Sequence, residues 1–357
     1  MAMYKLCIPT QPPYEVQIGR NVLSLLADQL KEMFQERRLC LVTDSNVAPL
    51  YLDTLRQLLE TNYFPCSVFV FPAGESSKNL ATYGELLSFM AREQLSRNDV
   101  ILALGGGTVG DLAGFAAASY MRGIPWVFLP STLLAAVDAS VGGKTAVNLP
   151  EGKNLLGAFH QPSLVFCECS FLESLGKEQI QDGLAEILKH GLIADAALFQ
   201  RFQQPFSLLS EDLPELILRN VEIKSHFVLA DEKDQGQRQI LNFGHSIAHA
   251  IEKCSGYSIS HGQAVAIGML AEIRAAHRMG LSSFPETAIR AVLSRQGLPL
   301  SCPFSAEEIW QAARNDKKRR GQQISLVLLS CLGEAHLQEL NLDDFREFVQ
   351  LGMEDRE

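Results

Sequence analysis

An excess of positive charge is what this chain of 357 residues most plainly lacks: 31 Lys and Arg stand against 41 Asp and Glu, a formal net charge of -10. Nucleic-acid backbones bind basic surfaces, so the balance argues against nucleic acid as the main partner. It leaves room for an anionic small molecule in a locally basic pocket. Paired cysteines are also missing. The eight cysteines (Cys7, Cys40, Cys66, Cys167, Cys169, Cys254, Cys302 and Cys331) are scattered, without the C-x-x-C spacing of a structural zinc site or a redox dithiol. Cys167 and Cys169 form the one close pair and fit alternation along a strand. No apolar run is long enough to cross a bilayer; residues 123–137 come nearest and are broken by Pro125 and Pro130. Residues 1–15 lack the apolar core of a secretion signal. A reducing, cytoplasmic location without a membrane partner is expected. Internal repeats and low-complexity tracts are absent. What remains, 47% hydrophobic and 20% charged, is an ordinary globular composition, and the length implies two domains.

The first half alternates. Short apolar runs at residues 39–42, 67–71, 100–104 and 126–129 each end in turn or polar residues, and helix-like patterns at 47–59 and 79–91 fill the gaps. Strands alternating with helices predict a parallel sheet of βαβ units, whose ligands bind beyond the carboxyl ends of the strands. From about residue 178 strand patterns nearly vanish and helical periodicity takes over, through 263–279, 285–295 and 306–314. Residues 324–329 could be one strand. The expected division is an α/β domain over 1–175, a Rossmann-like variant, and a mostly helical domain over 176–357.

Histidine is scarce, which makes its clustering informative. Of the eight, His245, His249 and His261 fall in one short window. His245 and His249 are four apart, so a helix would put both imidazoles on one face, as a zinc-type metal requires. Two packed or solvated helix histidines fit that spacing as well. A metal set would need a carboxylate, and Glu186 is the best candidate, an acid in an apolar helical run with Lys189 one turn later.

Residues 105–111 (Gly-Gly-Gly-Thr-Val-Gly-Asp) follow a strand-like run, precede a plausible helix and formally match G-x-G-x-x-G, the pattern that brings backbone N–H groups onto a pyrophosphate. The loop follows the third such run rather than the first, and the next strand ends in Pro130-Ser131-Thr132, with no acid for a ribose. The nucleotide reading therefore requires a variant site, with Asp44 and Glu75 as alternative acids at neighbouring strand ends. Beyond it, Asp138, residues 142–148 and residues 152–157 form a glycine-rich loop region bearing Lys144 and Lys153. These lysines suit a phosphate or carboxylate, or are simply solvated. Arg122, Lys224, Arg238 and the basic run at 316–320 are further candidates, the last reading mostly as a solvated face.

Taken in order, these residues resemble the 3-dehydroquinate synthase family of the sugar-phosphate cyclases. The likeness spans roughly residues 44–333 and rests on the 105–111 loop, Gly142-Gly143-Lys144-Thr145 with Val147-Asn148, and Gly152-Lys153-Asn154. It continues through the Glu186/Lys189 helix, Arg238 with Leu241-Asn242 and Gly244-His245, His249, and His261-Gly262. The resemblance implies an N-terminal α/β nucleotide domain, a helical C-terminal domain and an active site between them. It implies Zn2+ or Co2+ on Glu186, His245 and His261, and assigns His249 to the substrate phosphate instead of the metal. It implies NAD held by Asp44, Asn46, Glu75, Lys78, Gly106, Gly107, Asp111, Ser131 and Thr132, with Lys144 and Lys153 close by. Lys144, Lys153, Asn154, Lys189, Lys224, Arg238, Asn242, His249, Lys317 and Asp138 would line the substrate pocket. Arg122 would come from a second subunit, hence a homodimer. The implied reaction turns 3-deoxy-D-arabino-heptulosonate 7-phosphate, an anionic sugar-acid phosphate, into 3-dehydroquinate and phosphate in the shikimate route, with NAD catalytic and not consumed.

Three departures from the family pattern stand out: Asp234 for the usual Glu, Ser246-Ile247-Ala248 for Thr-Phe-Gly, and Gln263 for the Glu that commonly follows His-Gly. None removes a proposed ligand. The competing readings are a metal-dependent NAD alcohol or polyol dehydrogenase, a sister cyclase acting on sedoheptulose 7-phosphate or glucose 6-phosphate, and a non-catalytic metal-binding scaffold. A dehydrogenase would not need the phosphate-binding set of Lys144, Asn154, Asn242 and Lys317, and would typically offer Asp at position 186.

Overall fold

The computed structural model describes residues 3–35, 37–314, 319–320 and 323–354. They divide into two compact units, residues 1–175 with 208–225, and residues 176–207 with 226–357. The first break coincides with the end of the alternating pattern. The return of residues 208–225 to the first unit corrects the expectation of one continuous helical stretch from residue 176 onward.

The first unit is built on strands β1 (Met3–Ile8), β2 (Tyr14–Gly19), β3 (Leu39–Asp44), β4 (Cys66–Phe71), β5 (Val100–Gly105), β6 (Trp126–Pro130), β7 (Lys144–Leu149), β8 (Gly152–Phe159) and β9 (Leu164–Glu168). Its main sheet runs β1-β2-β9-β6-β5-β3-β4, antiparallel only between β1 and β2. Helices α1 (Leu26–Phe34), α2 (Asp53–Thr61), α3 (Leu80–Arg92) and α4 (Gly107–Ser119) intervene. Strands β3, β5, β6 and β9 are buried along their length, which is why the first three read as apolar runs; β9 is a strand outside the apolar runs read from the sequence. Alternate residues on one face, among them Leu39, Leu41, Leu102, Leu104, Val127, Leu129 and Phe166, share a core with Leu26, Leu30 and Phe34 of α1 and Leu55 and Leu59 of α2.

On the other face α4 lies close to the sheet because of its glycines: a Cβ on Gly110 would sit 2.7 Å from Phe128 Cζ, and one on Gly114 3.1 Å from Trp126 Cη2. The region expected as a glycine-rich loop is instead the antiparallel hairpin β7–β8, with a register shift at Asn148. From β3 the chain moves outward to β4, then returns across β3 to β5 and on to β6. The order therefore reverses between β3 and β5, and ligands of such sheets bind beyond the carboxyl ends at that switch. Asp44 ends β3 and Gly105 ends β5.

One anchor of this unit gives no sign of itself in the sequence. The buried carboxylate of Glu168, at the end of β9, accepts the backbone N–H groups of Asn21 (2.7 Å), Val22 (2.6 Å), Leu23 (2.8 Å) and Ser170 (3.0 Å). Replacing it with Ala strands these donors, each costing about 1–3 kcal/mol where water cannot reach. We expect Glu168→Ala to lower the thermal midpoint by roughly 10 °C. A calorimetric shift below about 2 °C would mean water replaces the carboxylate.

The second unit contains α5 (Lys177–Ala194), α6 (Ala196–Arg201), the end of α7 (Leu213–Ala230), α8 (His245–Cys254), α9 (His261–Arg278), α10 (Glu286–Arg295), α11 (Ala306–Ala313) and α12 (Leu342–Met353). Strands β10 (Arg319–Arg320), β11 (Gln323–Cys331) and β12 (Glu334–Asn341) form an antiparallel sheet, so the expected strand at 324–329 belongs to a longer hairpin. Helix α9 is buried almost all round, from Gly262 to Ala276. Arg274, nearly buried in it, forks onto both Glu286 oxygens at 2.9 Å and donates to the Gly352 carbonyl at 2.7 Å, tying α9 to α10 and α12. The fork from Arg274, joined by Arg290, outweighs burial and holds the Glu286 carboxyl down at about 2. None of the described helices is long and apolar enough to cross a membrane.

Candidate active site and metal centre

In the second unit, α5, α8 and α9 bring Glu186, His245 and His261 together. Their ligand atoms all lie within 4.8 Å of one another, a group that does not include His249. Glu186 Oε1 is 3.6 Å from His245 Nε2 and 3.5 Å from His261 Nε2. A tetrahedral ion bound at about 2.0–2.2 Å requires ligand atoms roughly 3.4 Å apart, so this donor set and spacing fit zinc or cobalt. The i,i+4 neighbour of His245, His249, is not part of this group, which is the set the resemblance implies. The His249 ring stands edge-on to His245, centroids 5.5 Å apart, and is exposed.

Each candidate ligand is positioned by its surroundings. His245 Nδ1 lies 3.0 Å from the Phe243 carbonyl, which can only accept, so Nδ1 carries the proton and Nε2 is left for a metal. Gly244, left-handed at φ +80°, lets the chain enter α8, and its N–H donates to Glu272 Oε2 at 2.8 Å. A Cβ there would lie 2.7 Å from Met269 Cγ. The start of α9 is pressed onto α5: a Cβ on Gly262 would stand 2.3 Å from Asp182 Cα. Asp182 Oδ1 accepts from Ser260 Oγ at 2.6 Å and from the Gly262 N–H at 2.7 Å. Gln263, the departure from the family's Glu, completes a capping box with Ser260, so its amide does the capping work a Glu would do. Asp234, the shortened acid, sits at φ +57°.

Burial, then the charge of Lys189, push His245 well below the ordinary imidazole range. Burial acts the same way on His261, but Glu186 and Glu252 outweigh it and raise that ring to about 10. Lys189, buried, pairs with Glu186 one turn earlier. Arg238, 2% exposed, donates to the Glu232 carbonyl at 2.7 Å. Asn242 follows in the short helix Gln237–Asn242 and is half-buried.

In the first unit, the expected nucleotide residues lie at the switch between β3 and β5. Gly106 leads into α4 with no side-chain cap, so the first N–H groups of that helix are left for an anion, unlike those of α3, which Asn79 caps. A Cβ on Gly106 would come within 3.0 Å of Thr132 Cγ2. Ser131, buried, donates its N–H to the Gly105 carbonyl at 2.9 Å. Asp44 Oδ1 accepts the N–H groups of Asn46 (2.8 Å) and Val47 (3.0 Å), while Asn46 itself is exposed. This uncapped, glycine-lined helix start fits a pyrophosphate.

Beside it Lys78, 4% exposed, donates to Asp111 Oδ2 at 2.9 Å and Asn154 Oδ1 at 2.7 Å, and lies 3.1 Å from Glu75 Oε1. Asn148 Nδ2 (2.8 Å) and Thr108 Oγ1 (3.2 Å) also reach Glu75. Burial favours the neutral form of Glu75, but Lys78, Asn148 and Lys153 more than offset it and hold the carboxyl low. Burial likewise opposes charge on Lys78, and Asp111 and Glu75 overcome it, raising the amine. Sequence reasoning put Lys78 in the nucleotide set and Asn154 in the substrate set; the structure joins them. Lys224 Nζ sits 2.7 Å from the Asp138 carbonyl and 2.8 Å from its carboxylate. Lys144 and Arg122 are exposed, Lys153 half-buried. Arg122 stands in a left-handed turn, at φ +70° between Met121 at +49° and Gly123 at +115°. Lys317 and Lys318 lie outside the described residues.

Sequence reasoning missed Glu252 and Asp182. Signals for both exist: Glu252 is seven residues after His245 and Asp182 four before Glu186, so each shares a helix face with a candidate ligand.

Family profiles described as 3-dehydroquinate synthase N-terminal and C-terminal match residues 68–182 and 183–319. The chain is 41% identical over 345 residues to a 3-dehydroquinate synthase of Streptococcus suis, covering 95% of this chain and 97% of that one. It is 40% identical over 344 residues to that of Streptococcus mutans, at the same coverage. Among solved structures it resembles a 2-deoxy-scyllo-inosose synthase complexed with carbaglucose-6-phosphate, NAD+ and Co2+, with a TM-score of 0.86, 25% identity and 98% and 99% of the two chains covered. A 2-epi-5-epi-valiolone synthase from Streptomyces hygroscopicus with NAD+ and Zn2+ gives a TM-score of 0.81, 29% identity and 94% and 95% coverage. An iron-containing alcohol dehydrogenase from Thermotoga maritima, at 16% identity and a TM-score of 0.61 over 95% and 97% of the chains, shares the fold alone. The chain belongs to the 3-dehydroquinate synthase family.

Proposed function

We infer that the chain converts 3-deoxy-D-arabino-heptulosonate 7-phosphate to 3-dehydroquinate and phosphate, as a carbon–oxygen lyase dependent on NAD and a divalent metal. The observation that carries this is the grouping of Glu186, His245 and His261 in a chain 41% identical to a 3-dehydroquinate synthase along 95% of its length. The solved sister cyclases are 25% and 29% identical, so the heptulosonate outranks their substrates as the choice for this chain.

NAD, held by Asp44, Asn46, Glu75, Lys78, Gly106, Gly107, Asp111, Ser131 and Thr132 with Lys144 and Lys153 close by, would supply a hydride acceptor regenerated within each turnover. Zinc or cobalt on Glu186, His245 and His261 would supply Lewis acidity that lowers the pKa of a substrate hydroxyl. The protein's own part is electrostatic and positional. Lys144, Lys153, Asn154, His249 and Lys317 neutralise the phosphate as it leaves with two negative charges. Lys224, steadied by Asp138, and Arg238 meet the substrate carboxylate, and Arg238 offers a flat fork matched to it. Lys189 balances Glu186, and Asn242 donates to a substrate oxygen. Arg122, presented in its exposed left-handed turn, serves a second copy of the chain, making a homodimer. The eight free cysteines accord with a reducing cytoplasm.

Phosphate release and NADH absorbance measured together test this reading. Many turnovers per NAD with no net NADH are expected from the heptulosonate phosphate, and little phosphate from sedoheptulose 7-phosphate or glucose 6-phosphate. Arg238→Leu should cut kcat/KM on the heptulosonate on the order of 100-fold while metal and NAD stay bound. NADH rising in step with product would mark a dehydrogenase, and equal phosphate release from sedoheptulose 7-phosphate a sister cyclase.

A further inference from the structure

We propose that Glu252 is a positioning residue that holds the His261 ring, through Nδ1, in the orientation and tautomer that turn Nε2 toward the metal. Glu252 lies in the last turn of α8, 5% exposed, with Oε1 3.6 Å from His261 Nδ1. The opposite ring nitrogen is the one 3.5 Å from Glu186 Oε1. The imidazole thus stands between two carboxylates, one on the metal side and one behind it. A carboxylate behind a ligating histidine keeps the proton on the far nitrogen and makes the near one a better donor.

The two histidines are secured differently, which shows why His261 needs this partner. His245 is 11% exposed at its side chain and pinned by a backbone carbonyl two residues away. The His261 side chain is 31% exposed and heads a helix. Asp182 holds the residues on both sides of it, through the Ser260 hydroxyl and the Gly262 N–H, and neither of these bonds is made to the ring. Glu252, reaching over from the neighbouring helix, supplies that constraint.

The proposal rests on Glu186, His245 and His261 being the ligands, and its test separates the two ideas. Metal is stripped from the full-length protein, and Zn2+ is titrated against a chromophoric chelator for the parent, Glu252→Gln and His245→Ala. Loss of a carboxylate behind a ligating histidine typically weakens metal binding about 10–100-fold. Glu252→Gln, nearly isosteric, should show that loss while the metal-free melting temperature stays within about 3 °C, less than about 1.5 kcal/mol for a unit of this size. The visible spectrum of the Co2+-loaded variant should shift as the imidazole reorients. Zinc affinity and cobalt spectrum unchanged in Glu252→Gln would overturn the proposal, whatever happens to melting. Parent-like zinc affinity in His245→Ala would show that the ligand assignment itself had failed.

Discussion

Glu186→Gln, His245→Ala and His261→Ala should each empty the metal site and take turnover with it. The three donors are spaced 3.5 and 3.6 Å about one oxygen, so removing any of them leaves two protein ligands, fewer than catalytic zinc sites keep. Losing several kcal/mol of Lewis-acid stabilisation corresponds to at least about a 10^3-fold fall in rate. His249→Ala should differ in kind. Its ring packs edge-on against His245 yet stands outside the ligand group, so metal content should stay near one per chain while kcat falls about 10^2–10^3-fold, the usual worth of one preorganised group stabilising developing charge. Elemental analysis of the purified variants decides between them. A His249→Ala protein without metal, beside a His261→Ala protein that keeps it, would show that the helix-face pair holds the ion.

Which parts of this molecule can be read in the sequence follows from burial. Strands β3, β5 and β6 are covered on both faces, so their apolar runs are unbroken and their ends, Asp44, Gly105 and Pro130, stand out as changes of composition. The hairpin β7–β8 sends no such signal. Most of β8 is exposed, its residues include two glycines, and Asn148 interrupts the register; a glycine-rich loop and a solvent-facing hairpin have nearly the same composition. Residues 208–225 look like any amphipathic helix, and local pattern does not encode which unit such a helix joins.

The site divides along the same line. A histidine is rare enough that three in one window attract notice, and a run of glycines after a strand has few uses. Carboxylates are common, and the sequence cannot distinguish a solvated acid from one that holds four backbone N–H groups, as Glu168 does, or stands beside a buried imidazole, as Glu252 does beside His261. Helix-face arithmetic from His245 or Glu186 narrows the choice to a few positions. Only the packing of α5, α8 and α9 selects among them.

The second large effect is expected from Lys78→Met. The Lys78 amine neutralises Glu75 and Asp111 together and donates to Asn154, so it joins the turn after β4, the first turns of α4 and the β7–β8 hairpin. A methionine fills much the same volume but leaves two carboxylates facing each other with no shared counter-charge. Removing one partner of a buried charge pair costs about 3–5 kcal/mol, and the side chain of Asp111 retains some solvent, so the lower end applies. The thermal midpoint of the metal-free, nucleotide-free protein should therefore fall by roughly 10 °C. Mutual repulsion would also push Glu75 and Asp111 out of the arrangement proposed to receive the nucleotide, weakening NAD binding on the order of 100-fold by titration calorimetry. Adding Asp111→Asn removes one of the two repelling charges and should restore most of the lost stability, a non-additivity expected of groups in direct contact. It should not restore NAD affinity, because neither original side chain is then present. A Lys78→Met protein that melts within about 2 °C of the parent and binds NAD within about threefold would show that Asn148, Thr108 and water hold the cluster without the lysine.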